Sequence, residues 1–99
     1  MKLTGKQARY LRGLGHHLPA IVMIGKDELT DRVVAATDAA LTSHELIKVK
    51  LQEGCLSDRR EIASELAQAT AAGVAQVLGR TFLLYRKHPE TPKISLPKP

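Results

Sequence analysis

The sequence predicts a single α/β (α+β) domain with elements in the order α-β-α-β-α-β-β, a four-stranded mixed sheet carrying three helices. Three observations predict it. Apolar residues recur at helical spacing in three separate segments. Short runs rich in β-branched and aromatic residues stand between and after them. The last two such runs are separated only by Gly79-Arg80-Thr81, a link suited to a hairpin. A chain of 99 residues has room for one domain of this size and not for two. Helical links between the first three strands imply right-handed parallel crossovers, and the closing hairpin is antiparallel. The order of the strands is left open.

The first helix opens with Thr4 and Gln7, a capping-box pair, and carries Leu3, Gln7, Tyr10, Leu11 and Leu14 on one side before Gly15 ends it. Its other side carries Lys6, Arg9 and Arg12, close to a continuous basic stripe. Ala20-Ile21-Val22-Met23-Ile24 has no polar alternation and reads as a strand buried on both faces. Gly25-Lys26-Asp27-Glu28 breaks it. A second helix runs from Leu29 or Thr30 to Ser43, with Thr30 as cap and Asp31 in the first turn, where an acid suits the dipole. Leu46 to Gln52 alternates: Ile47, Val49 and Leu51 point to the core, Lys48, Lys50 and Gln52 to solvent. Asp58 and Glu61 open a third helix reaching Ala72 and stopped by Gly73. Val74–Leu78 and Phe82–Lys87 are the last two strands, with Gly79 where the turn needs unusual dihedrals. Residues 1–88 make the domain. Residues 89–99, rich in proline, form an irregular tail.

Composition narrows the function classes. Hydrophobic residues at 43% and charged residues at 25% are ordinary for a globular chain, which disfavours disorder. No stretch is long and apolar enough to span a membrane, and the N-terminus is too polar for a signal peptide, so a soluble cytoplasmic protein is expected. The single cysteine, Cys55, removes a disulfide framework, and acids Glu53 and Asp58 near it work against an activated thiol. His16 and His17 are adjacent and diverge, while His44 and His88 lack ligand spacing, so no metal is expected. Gly25-Lys26 lacks the long loop and Lys-Ser/Thr ending of a nucleotide-binding P-loop. The expectation is a non-enzyme with no cofactor and no small-molecule substrate.

Charge is the positive signal. The net charge of +5 is unevenly spread: residues 1–26 hold five basic side chains and no acid, and residues 27–65 hold nine acids against five bases. Residues 66–99 hold five bases against Glu90 alone. A fold that joins the two basic ends presents one positive face to a polyanion; the plain alternative is solvated surface. With no Trp, one Phe and two Tyr, aromatic stacking cannot be the main mode, and Tyr85, sharing a face with Leu83, reads as core. At the end of the first strand, Gly25 and Lys26 either hold a phosphate on the N–H groups and dipole of the next helix or form an ordinary turn.

Several segments resemble one family. Leu3-Thr4-Gly5-Lys6-Gln7, Tyr10-Leu11-Arg12-Gly13-Leu14 and His17-Leu18 are similar to the opening of the CRM-domain family (chloroplast RNA splicing and ribosome maturation). His44-Glu45-Leu46-Ile47-Lys48-Val49-Lys50 resembles its second strand, and Gly79-Arg80-Thr81 with Leu84-Tyr85-Arg86 its terminal hairpin. Lys93-Ile94-Ser95-Leu96-Pro97 resembles the tail of the stand-alone bacterial, YhbY-like members. The resemblance implies a fold akin to the C-terminal domain of a bacterial translation initiation factor, RNA binding, and association with ribosomal RNA in precursors of the large subunit during their maturation. It also implies a Gly-x-x-Gly loop contacting RNA as in KH domains; here Glu28 replaces the second glycine, a negative side chain where close backbone approach is expected.

The expected contacts are therefore Lys6, Arg9 and Arg12 on the first helix, Gly25 and Lys26 at the loop, and Arg80 and Arg86 around the hairpin, with Lys48 and Lys50 extending the surface. Arg9, Lys26 and Arg86 are expected to converge on one plane of a monomer. The alternative is a protein-interaction module that docks on ribosomal proteins or an assembly GTPase through Asp27, Glu28, Asp31 and Asp38.

Overall fold

The computed structural model describes residues 1–99 as seven elements. They are α1 (Gly5–Gly15), β1 (Ala20–Ile24), α2 (Asp31–His44), β2 (Leu46–Leu51), α3 (Arg59–Ala69), β3 (Gly73–Leu78) and β4 (Thr81–Tyr85). The helix starts follow from side-chain chemistry. The Thr4 hydroxyl accepts from Gln7 N (3.2 Å) and the Gln7 carboxamide accepts from Thr4 N (3.1 Å), a complete capping box. Thr30 caps α2 through Val33 N, and Asp58 caps α3 through the N–H groups of Arg60 and Glu61.

The strands form one sheet in the order β1-β2-β4-β3. β1 and β2 are parallel, joined through α2; β4 is antiparallel to both of its neighbours, so the hairpin strand inserts between β2 and β3. Side chains alternate between two layers. Ile47, Val49, Leu51, Val22, Ile24, Phe82 and Leu84 face α2 and α3, meeting Leu41, Ile62 and Leu66 in the larger core. Leu46, Ala75, Leu83 and Tyr85 face the other way, against Leu11 of α1. Gly15 sits directly on the sheet, where a Cβ would come within 2.7 Å of Leu83 Cδ1, so a side chain there would displace the buried Leu83. β4 is buried on both faces, and Tyr85 belongs to the core.

Three expectations need correction. β1 is not buried on both faces: Val22 and Ile24 are, but Ile21 and Met23 are 47% and 46% exposed, because α1 covers β3, β4 and part of β2 rather than β1. α3 ends at Ala69, before Ala72, and Gly73 opens β3 instead of stopping the helix. The stop is a Schellman motif: Ala72 N donates to Ala67 O (2.8 Å) and Ala71 N to Gln68 O (3.3 Å). Ala71 takes the left-handed position, at φ +56°, usually given to glycine. The hairpin's Gly79, at φ +59°, has the dihedral expected of it.

The tail has no regular structure, yet it packs on the domain rather than standing apart from it. Its anchor is Glu45, the single residue between α2 and β2, buried and at φ +60°. One carboxylate oxygen accepts from Lys93 N (2.7 Å) and Ile94 N (3.0 Å), the other from His88 N (2.8 Å). Gln7 donates to Pro97 O (2.9 Å), and Ile94 and Leu96 pack beside Leu11 and Tyr85. Burial alone would raise the Glu45 carboxyl pKa, but the three N–H donors and the His88 charge outweigh it and hold the value below its ordinary 4.5.

Two outcomes follow from these junctions. Ala71 is exposed, so Ala71→Gly relieves a left-handed alanine at about 1–2 kcal/mol against a glycine entropy cost of about 0.5–1 kcal/mol. Thermal melting should rise by roughly 2–6 °C; a fall would contradict the motif. Glu45→Ala leaves three N–H donors without their acceptor and should cost about 2–4 kcal/mol. Because the folded carboxyl titrates below its unfolded value, the part of that difference owed to its charge is complete above pH 4.5 and is lost as pH falls through the lowered folded value, so the gap narrows. Melting curves of both proteins across acid pH check it, and a gap that widens on acidification would refute the anchor.

Candidate nucleic-acid interface

The face carrying α1 is where the expected cations gather. Lys6 and Arg9 project from the side of α1 opposite Gln7, Leu11 and Gly15, with Arg12 on its flank, and all three are exposed. Beside the helix lies the uncovered half of the sheet. Lys48 and Lys50 of β2 face it, and in the parallel register Met23 of β1 is the partner of Lys50. Lys48 Nζ donates to His16 O (3.3 Å) just past the end of α1, a cation on a helix C-terminal carbonyl. No carboxylate occurs in α1 or on this side of β1 and β2.

Lys26 and Arg80 stand at the end of the same sheet. Gln52 N donates to Ile24 O (2.8 Å), and the Gln52 carbonyl accepts from the Arg80 guanidinium, whose Nε also reaches Leu51 O (3.1 Å). A side chain on Gly54 would meet Lys26 Cβ at 3.1 Å, so the 25–30 and 52–58 loops lie against each other. Arg80 thus keeps its charge while bonded to neutral carbonyls.

Arg86 is different, and the expectation of a single plane joining Arg9, Lys26 and Arg86 needs correction. Its guanidinium turns to the α2–α3 side. It pairs with Asp38 Oδ1 (2.6 Å), the one ion pair in the structure, and donates to Asp38 O, Thr42 Oγ1 and Thr70 O. Four bonds to two helices make it a structural tie whose charge is already matched.

Of the two alternatives for the loop after β1, the structure has the ordinary turn. Gly25 O accepts from Glu28 N (3.0 Å), closing a turn, and α2 starts only at Asp31, with Thr30 already on Val33 N. Gly25 and Lys26 are therefore separated from the helix N-terminus, whose first turn holds Asp31, and Lys26 acts through its own charge. Glu28 adopts φ +57°, the conformation glycine takes most readily, and Ser57 Oγ donates to its carboxylate, drawing it toward the segment before α3. Two of the four acids expected of a protein-docking surface, Glu28 and Asp38, are thus engaged within the molecule.

Ile21 and Met23 were not among the expected site residues. Their apolar character reads as core, but they neighbour a strand whose Lys48 and Lys50 mark a wet face, and that pairing is the signal that could have exposed them.

Comparison with known proteins decides the family. The family model described as the CRS1/YhbY (CRM) domain matches residues 3–86. The chain belongs to that family. It is 37% identical over 95 residues to the probable RNA-binding protein YqeI of Bacillus subtilis, spanning 96% of this chain and 99% of the relative. It is 40% identical over 96 residues to an RNA-binding protein of Haemophilus influenzae, spanning 97% and 96%. The solution structure of the hypothetical protein SAV1595 from Staphylococcus aureus superposes with a TM-score of 0.83 at 39% identity, covering 96% of this chain and 99% of that one. This CRM domain therefore shares its whole extent with stand-alone bacterial relatives named for RNA binding, and none of its helices is long and apolar enough to cross a membrane.

Proposed function

We propose that this CRM-domain protein binds ribosomal RNA without catalysing a reaction, associates in the cytoplasm with precursors of the large ribosomal subunit, and assists their maturation. The observation that carries RNA binding is the acid-free face formed by α1 and the uncovered part of β1 and β2, since sequence-independent affinity for RNA is set by cations placed to displace counterions. Lys6, Arg9, Arg12, Lys26, Lys48, Lys50 and Arg80 supply charge to phosphates, and Gly25 supplies backbone access at the loop. Arg86 leaves the set because Asp38 already neutralises it. The family and the names of the relatives support RNA as the partner. The ribosomal assignment rests on the family resemblance, and sequencing of RNA crosslinked to the protein in growing cells tests it. Enrichment of large-subunit precursor RNA is expected, and a spread over unrelated transcripts would contradict it.

Two binding measurements test the face itself. With about five of these seven cations on phosphates at once, log affinity for a structured ribosomal RNA fragment should fall against log salt with a slope of about −4.5. The exposed pair Arg9→Glu and Arg12→Glu should flatten it to about −2.7 with the melting temperature lowered by a few degrees at most, the cost of an acid in the last turn of α1. An unaltered slope would remove α1 from the interface. Glu28→Gly removes a carboxylate from the turn that carries Lys26 and should tighten binding by roughly 2–5-fold. Its stability should stay within about 1 kcal/mol, as relief of the left-handed backbone offsets the lost Ser57 bond. Weaker binding by this variant would show that the glutamate contributes to recognition.

A further inference from the structure

The uncovered side of β1 has a feature that phosphate binding alone does not require. Ile21 and Met23 are about half exposed on an edge strand, side by side with the lysines of β2. The β1–β2 register steps from Ala20↔Lys48 to Val22↔Val49, which leaves Ile21 without a partner on β2. Ile21 lines a cavity of about 130 Å³ with Leu18, Pro19, Leu46, Lys48 and His44. The cavity is open to solvent and smaller than the roughly 150 Å³ cavity that accommodates benzene, so it has room for the edge of a base whose remainder stays outside. Met23 follows one step along the strand, and Lys26 stands past its end.

We propose that this strip takes unpaired RNA: one base puts an edge into the Ile21 cavity, the next lies on Met23, and the phosphates run along Lys48, Lys50 and Lys26. This rests on the RNA-binding reading above and names the form of RNA bound. The charge fixes the partner's class, because the apolar pair is bordered by lysines with no carboxylate on that side of the strands. The apolar pair fixes its form. A duplex keeps its base faces stacked inside and offers a surface of phosphate and ribose, for which lysines suffice. Only unstacked bases can cover isoleucine and methionine, and a thioether interacts favourably with an aromatic ring. The sugar–phosphate chain then lies where the lysine heads reach water, which keeps the desolvated part of the contact apolar.

The test compares a short uridine- and adenosine-rich single strand with an RNA hairpin stem, by fluorescence anisotropy at fixed salt. Ile21→Ser with Met23→Ser should weaken the single strand roughly tenfold or more and the stem by less than about twofold. Both positions are half exposed, and an unchanged melting temperature verifies the fold. Photocrosslinking of a 4-thiouridine-labelled single strand to the unaltered protein is independent of any variant. It should mark the tryptic peptide spanning residues 13–26, which contains Ile21 and Met23. Equal losses on both RNAs, or crosslinks confined to other peptides, would overturn the proposal. If the unaltered protein binds neither RNA, the RNA-binding reading itself fails. If it binds both and the serine variant matches it, only the present inference fails, and the apolar strip is left to a protein partner.

Discussion

A single helix cannot cover a four-stranded sheet, and most of what distinguishes this molecule follows from that mismatch. Strands about 4.8 Å apart put the outer axes of the sheet roughly 14 Å from each other, whereas a helix with its side chains is about 10–12 Å across. On one face α2 and α3 together close the large core. On the other, α1 has to choose, and the contact of Gly15 with Leu83 fixes its choice over the β4 side. β4 becomes doubly buried, the tail fills the space near Tyr85, and β1 with the outer side of β2 is left to solvent.

The same arrangement separates charge. α1 and the strand residues of β1 and β2 on its side of the sheet are basic or neutral, while the acids of α2 and α3 lie across the sheet. Where a cation crosses to the acidic side it is matched at once, as Arg86 is by Asp38. In the loop beside Lys26, Glu28 is held by Ser57, on the segment before α3. Three junctions bearing non-glycine residues at positive φ (Glu28, Glu45 and Ala71) make the abrupt reversals that keep the links short. Two of those residues hold a partner with their side chains, Glu28 at Ser57 and Glu45 at the tail, which offsets part of the backbone strain.

Local chemistry made most of the fold readable from the chain. The Thr4–Gln7 box, the Thr30 and Asp58 caps, the alternation of β2 and the turn at Gly79 are signals spanning a few residues, and the elements they define form as expected. What could not be read depends on partners far along the chain. Arg86 carries no mark that Asp38, 48 residues earlier, will meet it. Nothing near Glu45 announces that Lys93 and Ile94 return to its carboxylate. Ile21 and Met23 look like core because an exposed apolar residue and a buried one are spelled alike, and only the breadth of α1 against the sheet tells them apart. The cations of α1, β2 and the loops could be named from the chain, but not the tie that draws Arg86 to the other side.

The most direct test of the central claim is a residue-resolved map of RNA binding to the ¹⁵N-labelled protein by amide chemical-shift perturbation. The account predicts that titration with RNA shifts α1 from Lys6 to Gly15, β1, the turn at Gly25 and Lys26, and Lys48 and Lys50, while the outer surfaces of α2 and α3 stay unmoved. Perturbations centred on α2 and α3, with the α1 face silent, would contradict it.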